Sequence, residues 1–120
     1  MNSPLLTSTL IEHELERAPD HPILPNARQY ELRQLRFIWG YEEGPDGLLM
    51  LEMSTHDEYV RLQFSAVMGI VIPSDHLLSQ ISIRILDCRS MRSRMPASIR
   101  VRHPQGGGLE FWAEAVERID

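Results

Sequence analysis

A chain of 120 residues has room for one domain, and with 42% apolar residues it can fill a core without disulfide staples; its single cysteine, Cys88, cannot close an internal disulfide and asks for no oxidising compartment. Every one of the 12 basic residues is arginine, so a Schiff-base lysine, a P-loop lysine and a lysine general base are all excluded. The net charge of −5 argues against a general nucleic-acid binder.

That charge is unevenly spread. Residues 1–58 hold 11 acids and 4 arginines, whereas residues 59–120 hold 6 acids and 8 arginines, which leaves room for a local basic patch. No apolar run nears the length of a membrane span. The opening MNSPLLTSTLIEHELERAP lacks the basic start and apolar core of a secretory signal, so the cytoplasm is the expected location.

The chain reads as one domain over 1–120, with an N-terminal helix and connector (1–29) ahead of a β core (30–120). In the first part Thr9 and Glu12 have capping-box spacing, Leu10, Ile11 and Leu15 share a stripe, and Pro19 follows. A short helix over Thr9–Arg17 is predicted. Residues 19–26, PDHPILPN, form an extended connector pinned by Ile23 and Leu24.

From Tyr30 onward the pattern is that of strands. Leu35, Phe37 and Trp39 alternate with Arg36 and Ile38. The acidic, glycine-rich GYEEGPDG then turns the chain into Leu48–Met53, and Ser54–Asp57 makes a second turn. The stretch YVRLQFSAVMGIVIP (Tyr59–Pro73) is the organising one. Its first half puts Val60, Leu62 and Phe64 on one side, and its second half reads as covered on both faces. Gly69 interrupts that second half, where a bend or bulge would aim one strand into the next. These three strands predict an antiparallel meander.

Further strands follow at Ile81–Leu86, at Ile99–Arg102 and at Leu109–Glu114, after the turn HPQGGG. Arg100 and Arg102 are expected to face Glu110 and Glu114 across the last hairpin. Between them Arg89–Ala97 reads as an exposed loop. The fold class is mainly β with a short N-terminal helix, its antiparallel sheets packed as a sandwich or a curved, partly closed barrel.

No catalytic set assembles at the level of sequence. The histidines (His13, His21, His56, His76, His103) have no metal-ligand spacing, so no metal or other cofactor is expected. His56–Asp57 and Asp75–His76 sit in predicted turns. Cys88 shares a strand face with Leu86 and reads as a packed thiol, although Arg89 beside it would favour the thiolate. Gly106–Gly108 lacks the helix and the lysine of a phosphate loop and reads as a hairpin turn. The concentration that stands out is Arg84, Arg89, Arg92, Arg94, Arg100 and Arg102. Arginine grips carboxylates and phosphates two-pronged, and with Met91 and Met95 the segment Arg89–Met95 makes an adaptable contact surface. The candidate partner-binding residues are Arg89, Met91, Arg92, Arg94 and Met95.

Three stretches, VRLQFSAVMGIVIP, ISIRILDCRS and SIRVRHPQGGGLEFWAEAVERI, resemble small uncharacterised bacterial β-rich domains, among them immunity proteins of polymorphic toxin systems. Val60, Leu62, Phe64 and Val67 fill that pattern's first strand, Ile81 and Ile83 its second, and Leu109, Phe111 and Ala113 its third. The resemblance covers about the last half of the chain. It implies a non-catalytic protein that binds another protein, a toxin or a second copy of itself, and it carries over no functional residue because every matched position is a core position. The competing expectations are a small-ligand binder or enzyme in which His56, Asp57, His76 or Glu110 converge on a pocket, and an anion or RNA binder using the arginine group.

Overall fold

The computed structural model describes residues 13–38, 47–72, 82–91, 95–103 and 108–119. Seven strands form a single antiparallel sheet that does not close: β1 (Glu31–Ile38), β2 (Gly47–Ser54), β3 (Tyr59–Val71), β4 (Arg84–Asp87), β5 (Ile99–Arg102), β6 (Glu110–Ala113) and β7 (Ala115–Ile119). The spatial order is β1-β2-β3-β6-β5-β4, with β7 also beside β3. The predicted meander is present as β1-β2-β3. Of the predicted Thr9–Arg17 helix, 9–12 lies outside the described residues; 13–15 is helical and a turn follows at 16–17. Trp39, Ile81 and the acidic and triple-glycine turns also lie largely outside them.

The length of β3 organises the sheet. Its first half pairs with β2 on one side and, from Arg61 to Ser65, with β7 on the other; its second half pairs with β6 at Met68 and Val71. Because β6 and β7 are consecutive, with only Glu114 between them, two long strands run side by side and bend together. The bend in β3 is local backbone chemistry. Gly69 has φ 61°, a region glycine enters without steric cost, and the register with β6 shifts there. Ala66 also lies at positive φ, 53°, which a side chain disfavours. So the bend is built from two residues, of which the sequence pattern marks one.

One core sits inside this bend. The inward residues Leu49, Leu51 and Met53 of β2, Val60, Leu62 and Phe64 of β3, Ile85 of β4, Val101 of β5 and Phe111 of β6 are all sealed from water. Phe64 and Phe111 meet edge to face with ring centres 5.0 Å apart, joining the two halves of the sheet. Leu24, Ala27 and Tyr30 close one end, Ala27 opening a short 3-10 turn over Ala27–Gln29 and Tyr30 capping it. As predicted, Ile23 and Leu24 tie the connector to the core.

Two expectations are corrected. The second half of Tyr59–Pro73 is not covered on both faces: Gly69 is exposed, Val71 is 51% exposed and Ile72 53%. β2 begins opposite Val67, so among the described residues β3 beyond that point is paired only with β6. The strand predicted at Leu109–Glu114 is also not the last: β6 occupies Glu110–Ala113, and a seventh strand, Ala115–Ile119, follows where Glu114 bends the chain and hands the pairing of β3 from β6 to β7.

The two outer faces of the sheet differ. Behind β4, β5 and β6 lies a second small core, where Leu15 and Ala18 pack on Leu86 and Cys88 with Met91, Met95 and Trp112 at its margin. The free edge of β4 is covered as well. Asp20 bridges to Leu86, the His21 N–H donates to the Ile85 carbonyl at 2.7 Å and the Asp87 N–H donates to Pro19 at 2.9 Å. Such cover removes an edge that would otherwise invite strand pairing. The outer face of β1, β2, β3 and β7 has no comparable layer among the described residues.

Candidate functional site

The arginine–methionine loop is the first surface to place. Arg89 sits just after β4, and its guanidinium clamps Asp87: Nε donates to Oδ1 at 2.9 Å and Nη2 to Oδ2 at 2.7 Å, while the Arg89 N–H donates to Oδ1 at 3.1 Å. Met91 and Met95 are half-buried against the second core. Arg92 and Arg94 lie outside the described residues. Cys88, Arg89, Met91, Met95 and Glu114 line an open cavity of about 300 Å³. Arg84 is engaged by Asp20 at 2.8 Å, and Arg100 is buried beside Glu110. Arg84, Arg89 and Arg100 are thus each engaged by a different local acid.

The clamp on Asp87 has a pH signature. Its hydrogen bonds from Arg89 hold the Asp87 pKa down from 3.8 to about 2. A carboxyl with a folded pKa below its unfolded value stabilises fully above the unfolded pKa and loses that contribution as pH falls through the folded one. The expected result is that wild type loses thermal stability between about pH 4 and pH 2, and that Asp87→Asn flattens this limb. Melting midpoints from pH 6 to pH 2 check it; identical acid limbs in the two proteins would show that the clamp does not contribute.

Cys88 is buried, and burial followed by the neighbouring Asp87 charge pushes its thiol up to about 11. It is therefore protonated at neutral pH, in line with the packed-thiol reading and against a nucleophilic one.

Of the residues expected to converge on a His/carboxylate pocket, the described ones lie apart. His56 and Asp57 lie in the turn before β3, whereas Glu110 stands opposite Val71 at the far end of that strand and is paired with Arg100 at 3.2 Å. His76 lies outside the described residues. Among the described residues no group of three or more His, Cys, Asp or Glu side chains could hold a metal ion, and no helix is long and apolar enough to cross a membrane.

What the register does assemble is a four-stranded polar face. Residues directly opposite one another share a side of a sheet. The pairings Arg36–Met50, Met50–Gln63 and Gln63–Glu117 make one row across β1, β2, β3 and β7. Gln34, Glu52, Arg61 and Ile119 make the next. In the second row Arg61 Nε lies 3.3 Å from Glu52 Oε1, and the Tyr59 hydroxyl donates to Glu52 Oε2 at 2.5 Å. In the first, Gln63 Nε2 donates to Glu117 at 3.4 Å, and Arg61 Nη2 reaches the Met50 sulfur at 3.6 Å. Gln34, Arg36, Met50, Glu52 and Arg61 line a shallow depression of about 160 Å³ here.

Comparison with family models, with curated proteins and with solved structures finds no match to this chain.

The rim of this face is held by one carboxylate. Glu58, in the turn after β2, accepts from the Tyr30 hydroxyl at 2.5 Å and from Arg118 Nη2 at 2.7 Å. These bonds, Tyr30's first, keep Glu58 below the usual carboxylate range. They tie β7 and the N-terminal connector to the β2–β3 turn, so the fourth strand is anchored at its far end. The sequence reading singled out none of the four-stranded face, because each of its residues is an ordinary outward position of a strand. The signal that could have found it is the register: Arg36 and Glu117 are 81 positions apart, and only pairing through β2 and β3 puts them in one row.

Proposed function

We propose that this protein is a non-catalytic protein-binding module, with the outer face of β1, β2, β3 and β7 as its principal contact surface. One observation carries the reading: the described residues cover the outer face and edge of β4–β6 and place no comparable layer on the other four-stranded face, which is set with ordered rows of charge. Interfaces draw orientation and specificity from such charge, with apolar side chains between supplying contact area. Met50, Ile119 and the 43%-exposed Ile38 are the apolar members. An inhibitor that sits on a toxin, the role implied by the resemblance to immunity proteins, is one form this module would take; such a protein works by occlusion and needs no catalytic group.

The Arg89–Met95 loop supplies the second contact surface in this reading. Arg89 remains 65% exposed although it clamps Asp87, and the adjoining cavity is open. Capture with immobilised protein separates the two. A partner retained by wild type and lost by an Arg36→Glu/Arg61→Glu variant supports the sheet face. A partner lost only by Arg89→Ala/Met91→Ala moves the site to the loop. A partner bound equally by all three, or none, overturns the reading.

A further inference from the structure

The open face is complementary to itself. In its first row a cation stands on the β1 side, Arg36, and an anion on the β7 side, Glu117. In its second row the order reverses at the centre, with the anion Glu52 on β2 and the cation Arg61 on β3. A two-fold axis parallel to the strands, lying over the seam between β2 and β3, exchanges β1 with β7 and β2 with β3. It keeps each row in place. We infer that the face docks onto a second copy of this chain about that axis, so that Arg36 meets the partner's Glu117 and Glu52 meets the partner's Arg61. This rests on the reading of that face as a protein contact surface.

Each charge in the two rows then faces an opposite one. In the second row the existing pair at 3.3 Å becomes a ring of two carboxylates and two guanidiniums, and an arginine has donors enough to serve both. Met50 stacks over the partner's Gln63, and Ile119 over the partner's Gln34. The same patch on both copies is what a two-fold dimer requires, and sheets packed face to face in near alignment are a standard arrangement. The alternative self-contact, pairing of β1 edge to edge, is opposed by the register shift at Arg33, since a bulge in an edge strand blocks continued pairing.

Size sets the strength. Four strands by about seven residues project to roughly 400 Å², well under the roughly 800 Å² per partner of a stable complex. The dimer is therefore concentration-dependent, with a Kd between about 1 µM and 1 mM.

The test uses a charge swap. Arg36 and Glu117 are three strand spacings apart within one copy, about 14 Å, too far to pair internally, and Arg36 has no ion pair or hydrogen bond of its own among the described residues. Sedimentation of the full chain across that concentration range should show self-association that weakens with salt. Arg36→Glu alone and Glu117→Arg alone should each raise the Kd at least about tenfold, because both changes occur twice per dimer. The double variant Arg36→Glu/Glu117→Arg should return to within a few-fold of wild type. Rescue of this kind can only come from contact between copies. A wild type that stays monomeric throughout, or singles that do not weaken a dimer, or a double that is not rescued, overturns the inference. If the protein is monomeric and the Arg36→Glu/Arg61→Glu variant nevertheless loses a captured partner, the contact-surface reading stands and only the self-docking falls. Circular dichroism melts of all variants check that each is folded.

Discussion

Phe64→Ala should lower the unfolding free energy by about 3–5 kcal/mol, as truncation of a fully buried aromatic does. Phe64 and Phe111 are both fully shielded from water and belong to different halves of the bent sheet. Phe64 is opposite Leu49 of β2 on one side and Val116 of β7 on the other, while Phe111 is opposite Val101 of β5. Their edge-to-face contact therefore joins the two groups of strands, and it adds about 0.5–1.5 kcal/mol to the area term. Chemical denaturation checks it: the midpoint should fall steeply with the slope preserved. Phe111→Ala should cost a similar amount, and the double variant less than the sum, because each ring is part of the other's contact. A loss below about 1 kcal/mol from either single change would mean that the halves do not share one core.

Strand alternation made that core readable. Val60, Leu62, Phe64, Leu49, Leu51, Met53, Ile85, Val101 and Phe111 all sit at every-other-residue positions and all are buried. Local pattern says which residues point the same way along a strand. It does not say which strand lies beside which. The transfer of β3 from β7 to β6 depends on a left-handed residue at Ala66 and on a bend at Glu114, neither of which has a strong local signature. The helix stripe led to Leu15, and shared facing with Leu86 led to the packed Cys88, because both are one-dimensional patterns. The polar face of β1, β2, β3 and β7 is a product of pairing across four segments, so no window of sequence contains it. The arginine loop looked prominent because its charges are close in sequence. In space three of them have each found an acid nearby, Arg84 with Asp20, Arg89 with Asp87 and Arg100 with Glu110.

Arg100 shows how far that difference reaches. The sequence reading sets it on an exposed ladder with Glu110, worth at most about 1 kcal/mol. The pairing is there, at 3.2 Å, but the Arg100 side chain is only 8% exposed. It is wedged between Leu86 and Trp112 in the register, with its guanidinium 4.8 Å from the Trp112 ring centre. Arg100→Ala should therefore cost about 2–4 kcal/mol: breaking a buried ion pair costs about 3–5, reduced here because Glu110, one-third exposed, can recover water. The lost stacking and the void left by the aliphatic stem add to it. Arg100→Met separates these causes. It keeps the stem, so a cost well under that of alanine would assign the effect to packing, and an equal cost would assign it to the charge. Equilibrium unfolding of both variants at low and at 1 M salt decides, since a buried pair resists the screening that abolishes an exposed one. If Arg100→Ala changes stability by less than about 0.5 kcal/mol, Arg100 behaves as a surface residue. The layer of Leu15 and Ala18 would then not be seated on this face, and the contrast between the covered and the open sides of the sheet, on which the proposed contact surface depends, would be lost with it.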